Sequence, residues 1–334
     1  MKSANEMPLF DAGKFMEKNE GMIEAQLMFG AIELNLFEYL EKPICAERLA
    51  EKLNYDETNL KWLLQALTAM DFLVKKDEGF QNLPETQYYL HPKSEMYLGE
   101  QLLYWKDMTS MDGLTDLVRK GAPEKRFKDE NGSDFFDFQA MGRGNQTAMY
   151  LGRVQHFISA VKRNFRPEQK FSVLDMGCGC GIFSIEILRN FPSANAVLFD
   201  QRAVTELARR AAEAYGVAER SDIRTGNFVT DEIKGRYDLL IASGIMDFVG
   251  DLDKMTEKMK GLVSDRGMIF VSTHGLNDDF TKPKSMVLGW LSSHLHGLSI
   301  LKTDRQIRES FERSGFILSP VGRIPGQYFA RIGR

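Results

Sequence analysis

The stretch from Phe171 to Phe183, FSVLDMGCGCGIF, decides how the rest of the chain is read. Phe171, Val173 and Leu174 alternate and then run together as apolar groups, the pattern of a buried parallel strand. Asp175 follows, then glycines at 177, 179 and 181, then a helical run from Ile182 to Phe191. A strand that turns into a helix through alternate glycines lets backbone approach a ligand closely, because no Cβ intervenes. The start of the helix offers free N–H groups to a polar or anionic group. The spacing G-x-G-x-G is not the dinucleotide pattern G-x-G-x-x-G, since the third glycine arrives one residue early.

Downstream, residues 195–200, NAVLFD, form a short apolar run ending in Asp200, with Gln201 next and a helix from about Ala203 to Tyr215. An acid at the carboxyl end of the second strand suits a pair of ribose hydroxyls, to which it offers both oxygens. Strands then recur at SDIRTGNF (221–228), YDLLIASGIMDF (237–248, its carboxyl end at about Ser243) and RGMIFVSTHG (266–275). LSPVGRIPGQYFARIG closes the chain as two strands around Pro325-Gly326. Alternating strands and helices imply a doubly wound parallel sheet with right-handed crossovers. Ligands in such sheets sit beyond the carboxyl ends of the strands, so Asp175, Asp200, Asn227, Ser243, Thr273 and His274 are expected to converge.

VLDMGCGCG with LFD resembles the S-adenosylmethionine site of class I methyltransferases. The resemblance implies that Asp175 with Gly177, Gly179 and Gly181 holds the amino-acid end of the cofactor. It places the ribose on Asp200, with Gln201 beside it, and the adenine near Asn227 and Phe228. The family usually has an acid where Asn227 stands; an Asn carbonyl can also accept from the adenine amino group. Phe228 can stack on the ring, and Ser243 completes the cofactor set. The product would be S-adenosylhomocysteine.

Ahead of this core, residues 20–40 read as a helix apolar on most of its circumference, which needs partners on more than one side. ICAERLAEKL (44–53) and NLKWLLQALTAMDFL (59–73) make a helix–turn–helix, and VKKDEGFQNL (74–83) a two-strand wing turning at Glu78-Gly79. A winged helix commonly reads DNA. Here the candidate recognition helix begins with Asp56 and Glu57 and carries Lys61 as its one cation, too little for phosphate contacts. Packing or dimerisation is the better reading. This module ahead of a methyltransferase core resembles the small-molecule O-methyltransferase family of plants and bacteria, over nearly the whole chain. The resemblance implies an α/β, Rossmann-like doubly wound core with an N-terminal all-α winged-helix module that serves an intertwined homodimer and closes the substrate pocket. The expected divisions are 1–100 for dimerisation, 101–165 for linking helices and 166–334 for the cofactor-binding domain.

The 334 residues are 43% hydrophobic and 27% charged with a net charge of −4, a globular composition with room for two cores. The acidic balance argues against nucleic-acid or anionic-membrane partners. No apolar run reaches the roughly 18 residues of a membrane span, and the N-terminus lacks a secretory pattern. Three cysteines make no disulfide framework, and Cys178 and Cys180 do not complete a zinc shell. The expectation is a cytoplasmic protein without a metal.

The helical patterns at 97–120 and 134–164 flank a polar loop at 121–133, read as a solvated connection. The helix expected from Phe135 to Val161 corresponds to one that lines the acceptor pocket in the family. His156 on it reads as a partly exposed helix residue. The family's general base is a His just after the fourth strand, in a pattern like L-H-D-W. This chain reads Ile245, Met246, Asp247, Phe248, so Met246 replaces the His, and the acid that assists it falls at about Thr273. Candidate replacements are His274 directly after the fifth strand, His294 with His296 in KSMVLGWLSSHLHG, and Asp247. Transfer without a base, by proximity in a dry pocket, is the other route. Met141, Met149, Met246, Met286 and Trp290 suit a flat, largely apolar acceptor. O-methylation of such a molecule is the leading expectation. Methylation of carbon, nitrogen or sulfur, a cofactor-binding scaffold and a DNA-binding regulator are the alternatives.

Overall fold

The computed structural model describes residues 9–77, 79–124, 135–298, 301–322 and 324–333. Glu78 of the expected wing turn, and most of the loop expected at 121–133, lie outside the described residues. The chain divides into two compact units between Leu103 and Tyr104. No helix among the described residues is long and apolar enough to cross a membrane.

The first unit holds α1 (Gly13–Glu33), α2 (Ala46–Leu53), α3 (Glu57–Ala69), the antiparallel pair β1 (Leu73–Lys76) and β2 (Gly79–Asn82), α4 (Pro84–Leu90) and the first residues of α5 (Gly99–Met108). The single helix expected over 20–40 is corrected in two ways. It begins earlier, at Gly13, and it ends at Glu33, where Asn35 turns left-handed at φ 52° and a 3₁₀ turn, Leu36–Tyr39, follows. Asn is one of the few L-residues that visits this region readily. The break turns Leu36, Phe37 and Leu40 into a core shared with Leu49, Leu60, Leu64 and Leu67. Asp56 caps α3 by accepting the Asn59 N–H at 2.8 Å, and Lys61 lies 3.8 Å from Glu47. Phe15, Met16, Met22 and Ile23 of α1 stay exposed.

The second unit runs through α6 (Leu114–Lys120), α7 (Phe138–Ala148), α8 (Arg153–Lys162), β3 (Ser172–Met176), α9 (Ile182–Asn190), β4 (Asn195–Asp200), α10 (Arg202–Ala214) and β5 (Ser221–Thr225). It continues with β6 (Tyr237–Ser243), α11 (Leu252–Leu262), β7 (Val263–Ser272), α12 (Lys284–Gly289), α13 (Leu291–Leu295), α14 (Asp304–Arg313), β8 (Phe316–Pro320) and β9 (Gln327–Ile332). Most of the residues expected to form a separate linking region therefore belong to the same compact unit as the sheet. The helix expected from Phe135 to Val161 is two helices, broken where Gly152 takes φ 116°. Gln155 accepts the Gly152 N–H at 3.1 Å, and a His156 ring nitrogen lies 2.7 Å from the Gly152 carbonyl oxygen, so the exposed His156 serves the break.

The sheet order is β5-β4-β3-β6-β7-β9-β8, parallel through β7 and antiparallel over the last two strands. Alternate residues of the inner strands feed opposite cores. Val173, Leu239, Ile241 and Phe270 join the cluster with Phe157, Phe183 and Phe191 on one face. Leu174, Leu240, Ala242 and Ile269 join Met255, Met259 and Phe311 on the other. Apolar groups on both faces are why these strands read as nearly continuous hydrophobic runs. The order reverses at β3, so the crevice beyond its carboxyl end is where a ligand has room.

Candidate active site

The crevice begins where β3 stops. The Gly177 and Cys178 N–H groups donate to the Phe199 carbonyl at 2.8 and 3.2 Å, tying the turn to the end of β4. Gly177, Gly179 and Gly181 all have positive φ, at 70°, 56° and 76°. A Cβ at 177 would overlap Ile245, and one at 181 would lie 2.6 Å from Leu198 Cδ2. A Cβ at 179 would meet nothing within 4 Å, so the middle of the turn faces open space.

Two carboxylates flank it. Asp200 Oδ2 accepts the Gly179 N–H and Oδ1 the Gln201 N–H, both at 2.7 Å. Each oxygen keeps a second lone pair for another donor. Burial pushes Asp200 up, against the pull of those two N–H groups. Asp175 is buried and accepts from Ser184 Oγ at 2.8 Å. Burial first, with the Asp200 charge adding to it, pushes Asp175 up to about 7. Burial also raises Cys178, and Cys180 to about 11, so both remain thiols. Among the described residues no group of three His, Cys, Asp or Glu is placed to hold a metal ion.

Arg153 is not singled out by the sequence pattern. It opens α8 within electrostatic reach of Cys180 and has no ion pair or hydrogen bond among the described residues. An Arg at the start of a helix carries no sequence signal of its own. The structure also qualifies Asn227: its Oδ1 accepts the Val229 N–H at 2.9 Å, and its own N–H goes to Asp231 Oδ2 at 2.9 Å. The side chain is folded back into its turn because a short amide satisfies local backbone well. Phe228 lies beside the glycine turn, its ring edge 3.5 Å from where a Gly177 Cβ would stand. Lys258 Nζ fixes this segment by donating to the Phe228 and Asp231 carbonyls at 2.7 and 2.6 Å. Ser243, half-buried, ends β6 opposite Ser272.

The five apolar residues expected around an acceptor fall in three places. Met141, Met286 and Trp290 meet in one cluster with Trp105, Phe136 and Phe248. Met149 is buried in the sheet core, its Sδ 3.9 Å from Cys180 Sγ, and Met246 is fully buried in the opposite core. These two fill space behind the turn and behind β6, because their backbone positions face the sheet and not the aromatic cluster. Trp290 packs edge-on to Phe136 at 5.4 Å, Phe248 at 5.3 Å and His274 at 5.1 Å between ring centroids. His274 Nδ1 lies 2.9 Å from Asp247 Oδ2, and the His274 N–H donates to Asp247 Oδ1 at 3.2 Å. His294 is half-buried, and burial lowers its pKa. His296 Nδ1 lies 2.8 Å from the Ser292 carbonyl oxygen. The Thr273 hydroxyl donates a hydrogen bond to Asp304 Oδ1 at 3.0 Å and supports the chain there.

A glycine turn between a buried acid and a half-buried one at the switch point of a doubly wound sheet is the layout of a nucleoside-binding methyltransferase. The chain belongs to that family: residues 150–319 match the profile described as "Methyltransferase domain". Residues 16–100 match "O-methyltransferase dimerisation domain". Among curated relatives is 3-hydroxy-5-methyl-1-naphthoate 3-O-methyltransferase of Streptomyces sahachiroi, 26% identical over 68% of this chain. The chain spans 66% of that relative's length, just under two thirds. The N,N-dimethyltransferase OxyT of Streptomyces rimosus is 22% identical over 95% of this chain and 94% of its own. Human N-acetylserotonin methyltransferase, solved in complex with SAM, shares the fold with a TM-score of 0.72 at 20% identity, over 98% of this chain and 100% of its own.

Proposed function

We propose that this protein transfers a methyl group from S-adenosylmethionine to a small, flat, largely apolar acceptor, with a hydroxyl oxygen as the first choice of atom. The observation that carries the reading is the Asp200–Gly179 bond, which sets a half-buried carboxylate at the rim of an open, side-chain-free turn. The residues suit the cofactor chemically: Asp200 for ribose hydroxyls, Asp175 for the ammonium and Arg153 for the carboxylate. When bound, the cofactor supplies an electrophilic methyl on a sulfonium. The protein's own contribution is to hold the acceptor in line and keep water out. The rings of Trp105, Phe136, Phe248 and Trp290 with Met141 and Met286 supply an apolar surface of the right kind.

The relatives support both oxygen and nitrogen as the acceptor atom, since one is named for each. A homodimer through the N-terminal module is supported by the match at 16–100 and by the exposed apolar groups of α1. DNA reading is disfavoured by the pairing of Lys61 with Glu47. Calorimetry with S-adenosylhomocysteine, followed by labelled-methyl transfer to a panel of naphthols and aminoarenes, tests the proposal. Uptake with product formation is expected. Uptake without turnover across the panel would favour a scaffold, and no uptake would end the reading.

A further inference from the structure

We infer that His274 is the proton acceptor of the reaction and that Asp247 is its positioning residue. The inference rests on the methyl-transfer reading above. Met246, where the resemblance places the base, has no basic atom and is buried in the core. The carboxylate one residue on, Asp247, is fully buried. A buried carboxylate without a partner is strongly disfavoured, so its contacts show what it is for. Among the described residues those contacts are both to His274: the backbone N–H at 3.2 Å and ring Nδ1 at 2.9 Å. The ring contact is short but bent, a close approach of imidazole and carboxylate in which neither atom has another polar partner among the described residues.

The sheet explains how residues so far apart in sequence meet. Ser243 of β6 pairs with Ser272 of β7, and the two chain segments run on side by side past those ends. Asp247 lies in the 3₁₀ turn that follows β6, and His274 two residues beyond β7. Phe248 and Trp290 stand edge-on to the imidazole at 5.8 and 5.1 Å and restrict its rotation. With Nδ1–H turned to the carboxylate, the lone pair is on Nε2. The side chain retains 14% of its exposure, beside the cluster holding Met141 and Met286. In the step proposed, the acceptor's O–H bond breaks and its proton goes to Nε2. The freed oxygen pair forms the new bond to the methyl carbon, while the pair of the broken S–C bond stays on sulfur. Asp247 offsets the charge of the imidazolium, which then loses its proton to water.

His294 is the weaker candidate, because burial there disfavours the protonated form and no carboxylate faces it among the described contacts.

The first test needs no turnover. Long-range ¹H–¹⁵N spectra of the imidazoles should show His274 as the Nδ1–H tautomer, and Asp247→Asn should abolish that preference. An Nε2–H tautomer in the parent protein would overturn the inference. The second test uses an acceptor from the naphthol panel. His274→Gln should lower kcat by about 10²- to 10⁴-fold near neutral pH, with KM and S-adenosylhomocysteine affinity little changed. The loss should shrink as pH approaches the acceptor's own ionisation. Equal kcat in the variant would overturn the inference. Failure of the broader reading shows separately, as absent S-adenosylhomocysteine uptake by the parent protein.

Discussion

Asp200 Oδ2 accepts the Gly179 N–H at 2.7 Å, so the end of β4 and the middle of the glycine turn are fastened to each other. The same carboxylate therefore shapes the turn and faces the crevice. Asp200→Ala should lower S-adenosylhomocysteine affinity by at least tenfold, the loss of about one charge-assisted bond. It should also destabilise the fold by about 1–3 kcal/mol, because the Gly179 and Gln201 N–H groups lose their acceptor. Asp200→Asn, which keeps one acceptor oxygen, should fall between. Calorimetry with urea unfolding measures both, and unchanged affinity in the Ala variant contradicts the ribose assignment.

The three glycines should separate under substitution. Gly179→Ala meets open space and should cost about 1–2 kcal/mol for its left-handed backbone while weakening cofactor uptake. Gly181→Ala adds a close approach to Leu198, and Gly177→Ala an overlap with Ile245. Each of those two should cost about 2–4 kcal/mol in urea unfolding, strain and overpacking together. Equal stability across the three variants would show that the turn relaxes freely.

What was legible in the sequence was local. Strand, glycine turn, helix and the acid at the next strand end are adjacent in the chain, so Asp175, Gly177 and Asp200 could be placed without a fold. The breaks at Asn35 and Gly152 were hidden because one left-handed residue interrupts a helix without disturbing its apolar period. Met149 and Met246 look like Met141 and Met286 in sequence; only the packing of their elements decides which of them meet Trp290. The sequence offers His274 and Asp247 as rival candidates for the base. Their pairing depends on β6 lying next to β7, a fact of sheet order with no trace in either segment alone.

Arg220 tests how the helix behind the turn is held. Its guanidinium donates to the Leu188, Phe191 and Ala194 carbonyls at 2.8, 3.2 and 3.2 Å, closing the end of α9. A cation there satisfies free carbonyls and opposes the helix dipole. Arg220→Ala should cost about 2–3 kcal/mol in urea unfolding. Arg220→Lys should recover less than half, since a single ammonium cannot span three carbonyls. S-adenosylhomocysteine affinity of the folded variants should stay within about threefold of the parent, because these bonds are at the far end of α9 from Gly181. Parent-like unfolding in both variants would show that Arg220 is not what secures the helix.

Asp175 gives the fold and the cofactor site opposite pH preferences. Burial raises its folded value to about 7 from an ordinary 3.8. Below about pH 4 it is protonated in both folded and unfolded chains, and its titration contributes nothing to stability. Between there and about 7 the unfolded chain releases the proton that the folded one retains, so stability falls as pH rises; above 7 the penalty is complete. Asp175→Asn, whose carbonyl can still accept from Ser184, should therefore stabilise the protein at about pH 8 and leave it unchanged at about pH 4. The gain has an upper bound of roughly 4 kcal/mol, from about three pKa units at 1.36 kcal/mol each. Cofactor uptake should run the other way, because an ammonium group needs the ionised carboxylate. Parent affinity for S-adenosylhomocysteine should rise by about tenfold between pH 5.5 and 8. The Asn variant should bind weakly and show no such rise. Chemical unfolding and calorimetry at the two pH values give both curves, and a parent affinity flat with pH would remove Asp175 from the cofactor's amino-acid end.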